Sequence, residues 1–176
     1  MGIRRYPPPP GTRRLAWTPT CFGLTVLRVG ITEAIAASNA AASAFTRELF
    51  EEQWTPDRVA SFVNERRNAT IATVSLAGQP HAAVVIAASM GDEIYFTVNP
   101  ASVLARNLAA NDRIALSVCD SVHAVMSQGR AMKVGAAPNL TELVEGLAVA
   151  TGSGTFTPPG WDGDIYRAEI RRLVAN

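Results

Sequence analysis

Between residues 70 and 134 the chain is cut by turn signals into short segments, and most of those segments alternate apolar and polar residues with a period of two. That pattern builds half-buried β-strands and leaves no room there for long helices. Thr70-Ile71-Ala72-Thr73-Val74-Ser75-Leu76 alternates cleanly, and Ala77-Gly78-Gln79-Pro80 turns the chain. His81 to Ser89 is a nearly unbroken apolar run, as expected of a strand buried on both faces. Gly91-Asp92 turns tightly into Glu93–Val98, and Asn99-Pro100 breaks the sheet. Ser102 to Ala110 then reads as a short helix closed by Asn111.

Arg113–Cys119 and Ala124–Val134 are two further strands, and Gly129 inside the second marks a bulge or a close backbone approach. Thr141–Ala150 reads as a helix, Thr151–Gly163 as a Gly/Pro/Thr-rich loop, and Asp164–Val174 as a last strand. The order is helix, three strands, short helix, two strands, helix, strand. Without a repeated βαβ unit, this predicts an α+β protein built on a six-stranded antiparallel barrel with short flanking helices.

The leading helix of that series starts at Thr55-Pro56-Asp57, a capping Thr, a Pro at the first helical position and an acid in the first turn. Val59, Phe62 and Val63 share one of its faces, and Arg66-Arg67-Asn68 ends it. Residues 54–176 therefore form the predicted domain. Residues 1–20, with Pro7–Pro10 flanked by arginines, read as a disordered or extended Pro/Arg-rich arm. Residues 21–53 read as an Ala-rich helical extension, helical from about Thr25 to Glu52; it could pack on the domain or serve as an interaction helix for another protein.

A net charge of +1 gives no field that would draw the chain to nucleic acid or to an acidic membrane. Basic residues are 15 arginines and the single Lys133, which with the abundant alanine is the usage of a GC-rich, actinobacterial genome. Cys21 and Cys119 cannot make a framework of bridges, no Cys/His cluster implies a metal, and a reducing cytoplasm is the simplest setting. The apolar stretch from Cys21 to Phe45 is interrupted by Arg28 and Glu33 and is too broken for a membrane span. No nucleophile–base motif, phosphate-binding glycine loop or zinc-protease motif is present, so no catalytic residue is assigned.

Three groups of residues carry a resemblance. Ala69-Thr70-Ile71-Ala72-Thr73-Val74, Gly78-Gln79-Pro80-His81 and Ile94-Tyr95-Phe96-Thr97 come first. Ser102 with Ala105-Arg106-Asn107-Leu108, then Asn111 to Val118, follow. Gln128-Gly129-Arg130-Ala131 is the third. In order and spacing this block resembles the pyridoxamine 5'-phosphate oxidase-like FMN-binding split barrel, over roughly residues 55–135 with a weaker echo in 164–174. The resemblance implies a homodimer that holds FMN or a deazaflavin coenzyme in grooves at the subunit interface and passes a hydride to a small conjugated substrate.

It places the flavin ring along Ala82–Ala88, with Ala83, Val84, Val85 and Ile86 beside it. The phosphate falls near Thr97, Asn99, Ser102, Arg106 and Asn107, while Gln128 and Arg130 lie on a more distant strand. Where the family usually has a basic pair after the Ser, this chain has Val103 and Leu104, and Ala83 stands near the place of an arginine that opens the second strand in the oxidases proper. A split barrel that has lost flavin and holds another ligand, haem included, or none, is the alternative.

Each of these residues also has a plainer reading. Arg106 is either a phosphate clamp or a solvated helix residue; Ser102 caps its helix in either case. Asn107 fits a structural role, Thr97 suits a strand whatever it binds, and Arg130 could brace the barrel or the dimer. His81 sits at the head of the second strand and is read as structural. His123, in a turn, is a haem ligand, a proton donor or an ordinary turn histidine. Trp161 closes either a groove at the partner subunit or the core; Trp17 and Trp54 have only packing roles.

Overall fold

The structure, a computed structural model, describes residues 29–45 and 54–175. The predicted arm of residues 1–20, and Trp17 with it, lies outside the described residues. The elements run α1 (Ile31–Ala41), α2 (Pro56–Arg66), β1 (Asn68–Val74), β2 (Pro80–Met90), β3 (Glu93–Val98), α3 (Val103–Ala110), β4 (Arg113–Cys119), β5 (Ala124–Ala136), α4 (Thr141–Ala150) and β6 (Asp164–Ala175), with a single 3-10 turn over Ala137–Asn139. The strands close into an antiparallel barrel in the order β1-β2-β3-β6-β5-β4. This is the predicted α+β split barrel.

Two apolar clusters hold it together. The larger fills the barrel with Ile71, Phe96, Leu116, Val125 and Ile170 and extends under α2 through Val59, Phe62 and Val63. The smaller lies on the other side of β2, β3 and β6, where Leu147 of α4 and Phe156 meet Ala88, Tyr95 and Ile165. The apolar run of β2 divides between them. From Val85 to Ser89 the strand is almost wholly covered, Ala87 packing into the larger cluster and Ala88 into the smaller. From Pro80 to Val84 one face is half-buried, Ala83 packing against the barrel cluster, and the other is open, with Val84 71% exposed. Burial on both faces, expected for the whole run, holds for its second half alone, where the smaller cluster around Leu147 and Phe156 covers the outer side.

Gly129 fulfils both of its predicted readings. The β5–β6 register slips between Gln128 and Gly129, and a Cβ at Gly129 would collide with the Glu169 carbonyl. α2 begins as its sequence dictates, Thr55 Oγ1 accepting from the Arg58 N–H. α1 is capped from a distance. Gly30 has no side chain to offer, and Asp92 in the β2–β3 turn takes the role: its Oδ1 accepts from the Thr32 N–H and hydroxyl at 2.9 and 2.8 Å, and its carbonyl accepts from the Ile31 N–H. Ile31 and Ala34 enter the barrel cluster, and Ser38 Oγ accepts from the Leu173 N–H. The predicted helix of this segment is interrupted within the described residues, since Ala42 is already extended and Ala44 and Phe45 are helical again. Packing supports a helix of this length more than propensity does, and its buried face ends at Ser38.

Replacing Gly129 by Ala should cost about 1–3 kcal/mol of unfolding free energy by overpacking at the bulge, read by urea denaturation; an unchanged midpoint would show that β6 can yield there.

Candidate functional site

The first half of β2, together with Val85 and Ile86 where the covered half begins, forms the floor of a groove of about 360 Å³, within the ~300–1,000 Å³ usual for ligand sites. Its floor is His81, Ala83, Val84, Val85 and Ile86. Its far end is the β3–α3 corner, from Thr97 to Leu104, and Pro158 and Trp161 lie over it. Seven of the residues implied by resemblance line it together: Ala83, Val84, Val85, Ile86, Thr97, Asn99 and Ser102.

The corner is built from local hydrogen bonds. Asn99 Oδ1 accepts from the Ala101 N–H at 2.9 Å, and its carbonyl accepts from the Ser102 N–H at 3.0 Å. Ser102 Oγ accepts from the Ala105 N–H at 3.0 Å, so the cap itself uses one of the free donors at the start of α3. Thr97 Oγ1 is engaged across the strands, accepting from the Ile86 N–H at 3.3 Å.

The remaining implied residues lie elsewhere. Arg106 is exposed on α3 and does not line the groove. Asn107 is buried, its Nδ2 donating to Thr73 Oγ1 at 3.0 Å and so tying α3 to β1. Arg130 Nη1 donates to both carboxylate oxygens of Asp112 at 2.9 Å, bracing β5 against the turn before β4. Gln128 lines a second concavity of about 460 Å³ on the outer face of the barrel, with Thr70, Ala72, Ser117, Met126 and Arg172.

His123 is remote from the groove, tilted against Trp54 with ring centroids 5.5 Å apart. Beside it, the N–H groups of His123 and Val122 hold the Asp120 carboxyl below the usual carboxylate range, and Arg66 adds to the effect. Among the described residues, no three His, Cys, Asp or Glu side chains gather as a metal site.

Sequence reasoning left His81, Val98, Pro158 and Trp161 out of the implied site. His81 is the one titratable side chain lining the groove among the described residues, and its Nδ1 is buried without a hydrogen-bond partner there. Trp161 carried a signal, a large aromatic in a Gly/Pro-rich loop; Pro158 carried none beyond that loop.

The sequence matches the family described as pyridoxamine 5'-phosphate oxidase over residues 55–160, more than half of the chain, and the chain belongs to that family. No curated protein matches it. Among solved structures it is similar to a protein of unknown function from Agrobacterium tumefaciens, at 22% identity and a TM-score of 0.50, the match covering 68% of this chain and 55% of that one. The chain thus spans about half the length of that relative. It is also similar to an F420 reductase (21% identity, TM-score 0.53, 65% and 94% covered) and to the heme storage protein of Vibrio cholerae (15%, 0.51, 67% and 92%). At these identities the likeness is one of fold. Among the described residues, no helix is long and apolar enough to cross a membrane.

Replacing Ser102 by Ala should cost about 1 kcal/mol of stability through the lost cap, measurable by urea denaturation; no loss would mean that the corner is held by Asn99 alone.

Proposed function

We propose that the protein is an FMN- or deazaflavin-dependent oxidoreductase of this family, passing a hydride to a small conjugated substrate. The observation that supports it is the coincidence of seven implied residues in one groove, along the strand where the resemblance lays the ring. The described residues fit the two ends of a flavin unequally. An apolar floor and an indole above it suit a flat ring. At the corner, the Val103 and Leu104 N–H groups begin a helix and favour an anion, but no Lys or Arg lines the groove. A charge-assisted bond is roughly twice as strong as a neutral one, so a single chain holds a phosphate dianion weakly. The bound cofactor would supply the redox chemistry, and the protein binds it, orients it and excludes water.

The same lack of charge favours the second reading, a split barrel that binds a different ligand such as haem. His81 then becomes the candidate polar contact, in preference to His123. Visible spectra of the purified protein, repeated after adding FMN, deazaflavin and haem in turn, separate the two. On the flavin reading, FMN binds within about tenfold of riboflavin, which lacks the phosphate. Val103 is 41% exposed on the groove, whereas Leu104 is 3% exposed and packed in the core. Val103→Lys should therefore tighten FMN by about tenfold, or ~1.4 kcal/mol, and leave riboflavin unchanged. Equal gains for both ligands would place the phosphate elsewhere.

We also propose that the protein is a homodimer. The strand registers join outward-facing residues into a band, Val84–Thr70–Ser117–Met126–Val174 in one row and Ala82–Ala72–Ala115–Gln128–Arg172 in the next. Nine of these ten side chains are uncharged, across five strands, and such a face suits a second copy. Light scattering should give twice the 18.7 kDa chain mass, and Ala115→Arg at the centre of the band should halve it. A wild-type mass of one chain at micromolar concentration contradicts the dimer.

A further inference from the structure

We infer that residues 151–163 form a fixed roof over the groove and that Trp161 selects planar conjugated ligands by stacking on them, a role that rests on reading the groove as a ring site. The segment lacks helix and strand, yet it is pinned along its length. Thr151 Oγ1 accepts or donates at 2.8 Å to Ser153 Oγ, and Ser153 Oγ donates to the Thr155 carbonyl at 2.7 Å. The Arg67 guanidinium donates to the same carbonyl at 3.1 Å from the end of α2. Arg67 holds φ +61°, the one non-glycine residue at positive φ among the described residues, a conformation that disfavours a side chain and that its surroundings must enforce. Phe156 next enters the smaller core cluster and is 0% exposed.

Between that anchor and Gly163 stands a tip of six residues. Pro158-Pro159-Gly160-Trp161 has the sequence of a type II turn, with Pro second and Gly third at φ +71°, and the Trp161 N–H donates to the Pro158 carbonyl at 3.1 Å. The turn presents the indole to the groove beside Ile86. Gly163 fixes the ring's other side, for a Cβ there would occupy the space of the indole. Its carbonyl also accepts from the Ala137 N–H at 2.8 Å, which holds the end of the tip against the 3-10 turn. The indole is therefore placed before any ligand arrives, and a placed aromatic face adds affinity for a flat ring with little ordering cost. A ligand that is not flat meets the same indole as an obstacle.

The test uses the full chain and two readouts. In ligand-free protein, acrylamide quenching of Trp161 is obtained as the difference between wild type and Trp161→Phe, which removes the signals of Trp17 and Trp54. Gly163→Ala should raise that quenching at least twofold by displacing the ring. With riboflavin as probe, Trp161→Ala should weaken binding by tenfold or more, Trp161→Phe by less than threefold, and Gly163→Ala by an amount close to that of Trp161→Ala. If Trp161→Ala binds riboflavin as wild type does, the stacking role falls. If Gly163→Ala folds and leaves the quenching unchanged, the fixed roof falls. Should Gly163→Ala fail to fold, the two Trp161 variants decide alone. Should wild type bind no flavin at all, the flavin reading fails, and the planar tricyclic dye proflavine takes riboflavin's place: its loss on Trp161→Ala sustains the roof, and its indifference overturns it.

Discussion

The groove exists because β2 is longer than the layers that cover it. Eleven residues of strand run from Pro80 to Met90, and the two apolar clusters between them enclose only the second half. In that half, burying Ala87 on one side and Ala88 on the other fixes both the strand's register with β3 and the position of α4. The first half keeps its register through β1, pairing Val84 with Thr70 and Ala82 with Ala72, while the side chains of its outer face are left exposed. A rigid strand with an uncovered apolar surface is a suitable floor for a flat ligand, since nothing has to be ordered on binding. The corner at Asn99–Ser102 and the roof at Trp161 both take their places from the covered half: the corner follows β3, and the roof hangs from Phe156.

Much of this was legible in the sequence, and the reason is locality. Strands β1 and β4 alternate because one face of each is buried, and the Thr55-Pro56-Asp57 start carries its own cap. Gly129 was legible for a similar reason, since only a missing Cβ allows the Glu169 carbonyl so close. What could not be read depends on partners far along the chain. Asp92 caps a helix 60 residues upstream, and no spacing rule links the two. Likewise Asn107 looks like a ligand by position, yet it is Thr73, 34 residues away, that engages its amide. Arg106 and Arg130 illustrate the limit for the site. Arg106 could be read as a phosphate clamp or a solvated helix residue, and it is exposed on α3, while Arg130, read as a brace of the barrel or the dimer, is engaged by the Asp112 carboxylate. Resemblance located the strand under the ring; it said nothing of the roof, which lies in a loop with no periodicity.

Charge is distributed in a way that bears on function. Arg167 meets Glu93 and Glu169, Lys133 meets Asp164, Arg66 meets Asp120, and Arg130 meets Asp112. The Lys133–Asp164 contact holds the ammonium above its ordinary range, chiefly through the hydrogen bond itself. None of the members of these pairs lines the groove. On the surface such pairs contribute little stability each. Their effect here is more one of exclusion: basic residues already engaged with a carboxylate are not available to an anion nearby.

Selectivity must then come mainly from shape. An uncharged groove separates ligands that differ by one methylene by only about 1–3 kcal/mol, so a floor of Ala and Val alone would discriminate poorly among flat molecules of similar size. Two features sharpen it. His81 offers a polar contact at one end, and its own buried, unpaired Nδ1 makes the local hydrogen bonding sensitive to what the ligand presents, since a buried group left unsatisfied costs about 1–3 kcal/mol. Trp161 sets the height of the opening, and because Gly163 and the Pro158–Trp161 turn fix the ring, that height does not relax to admit thicker ligands. A planar molecule with a hydrogen-bonding edge satisfies both conditions at once, whether or not it carries a phosphate.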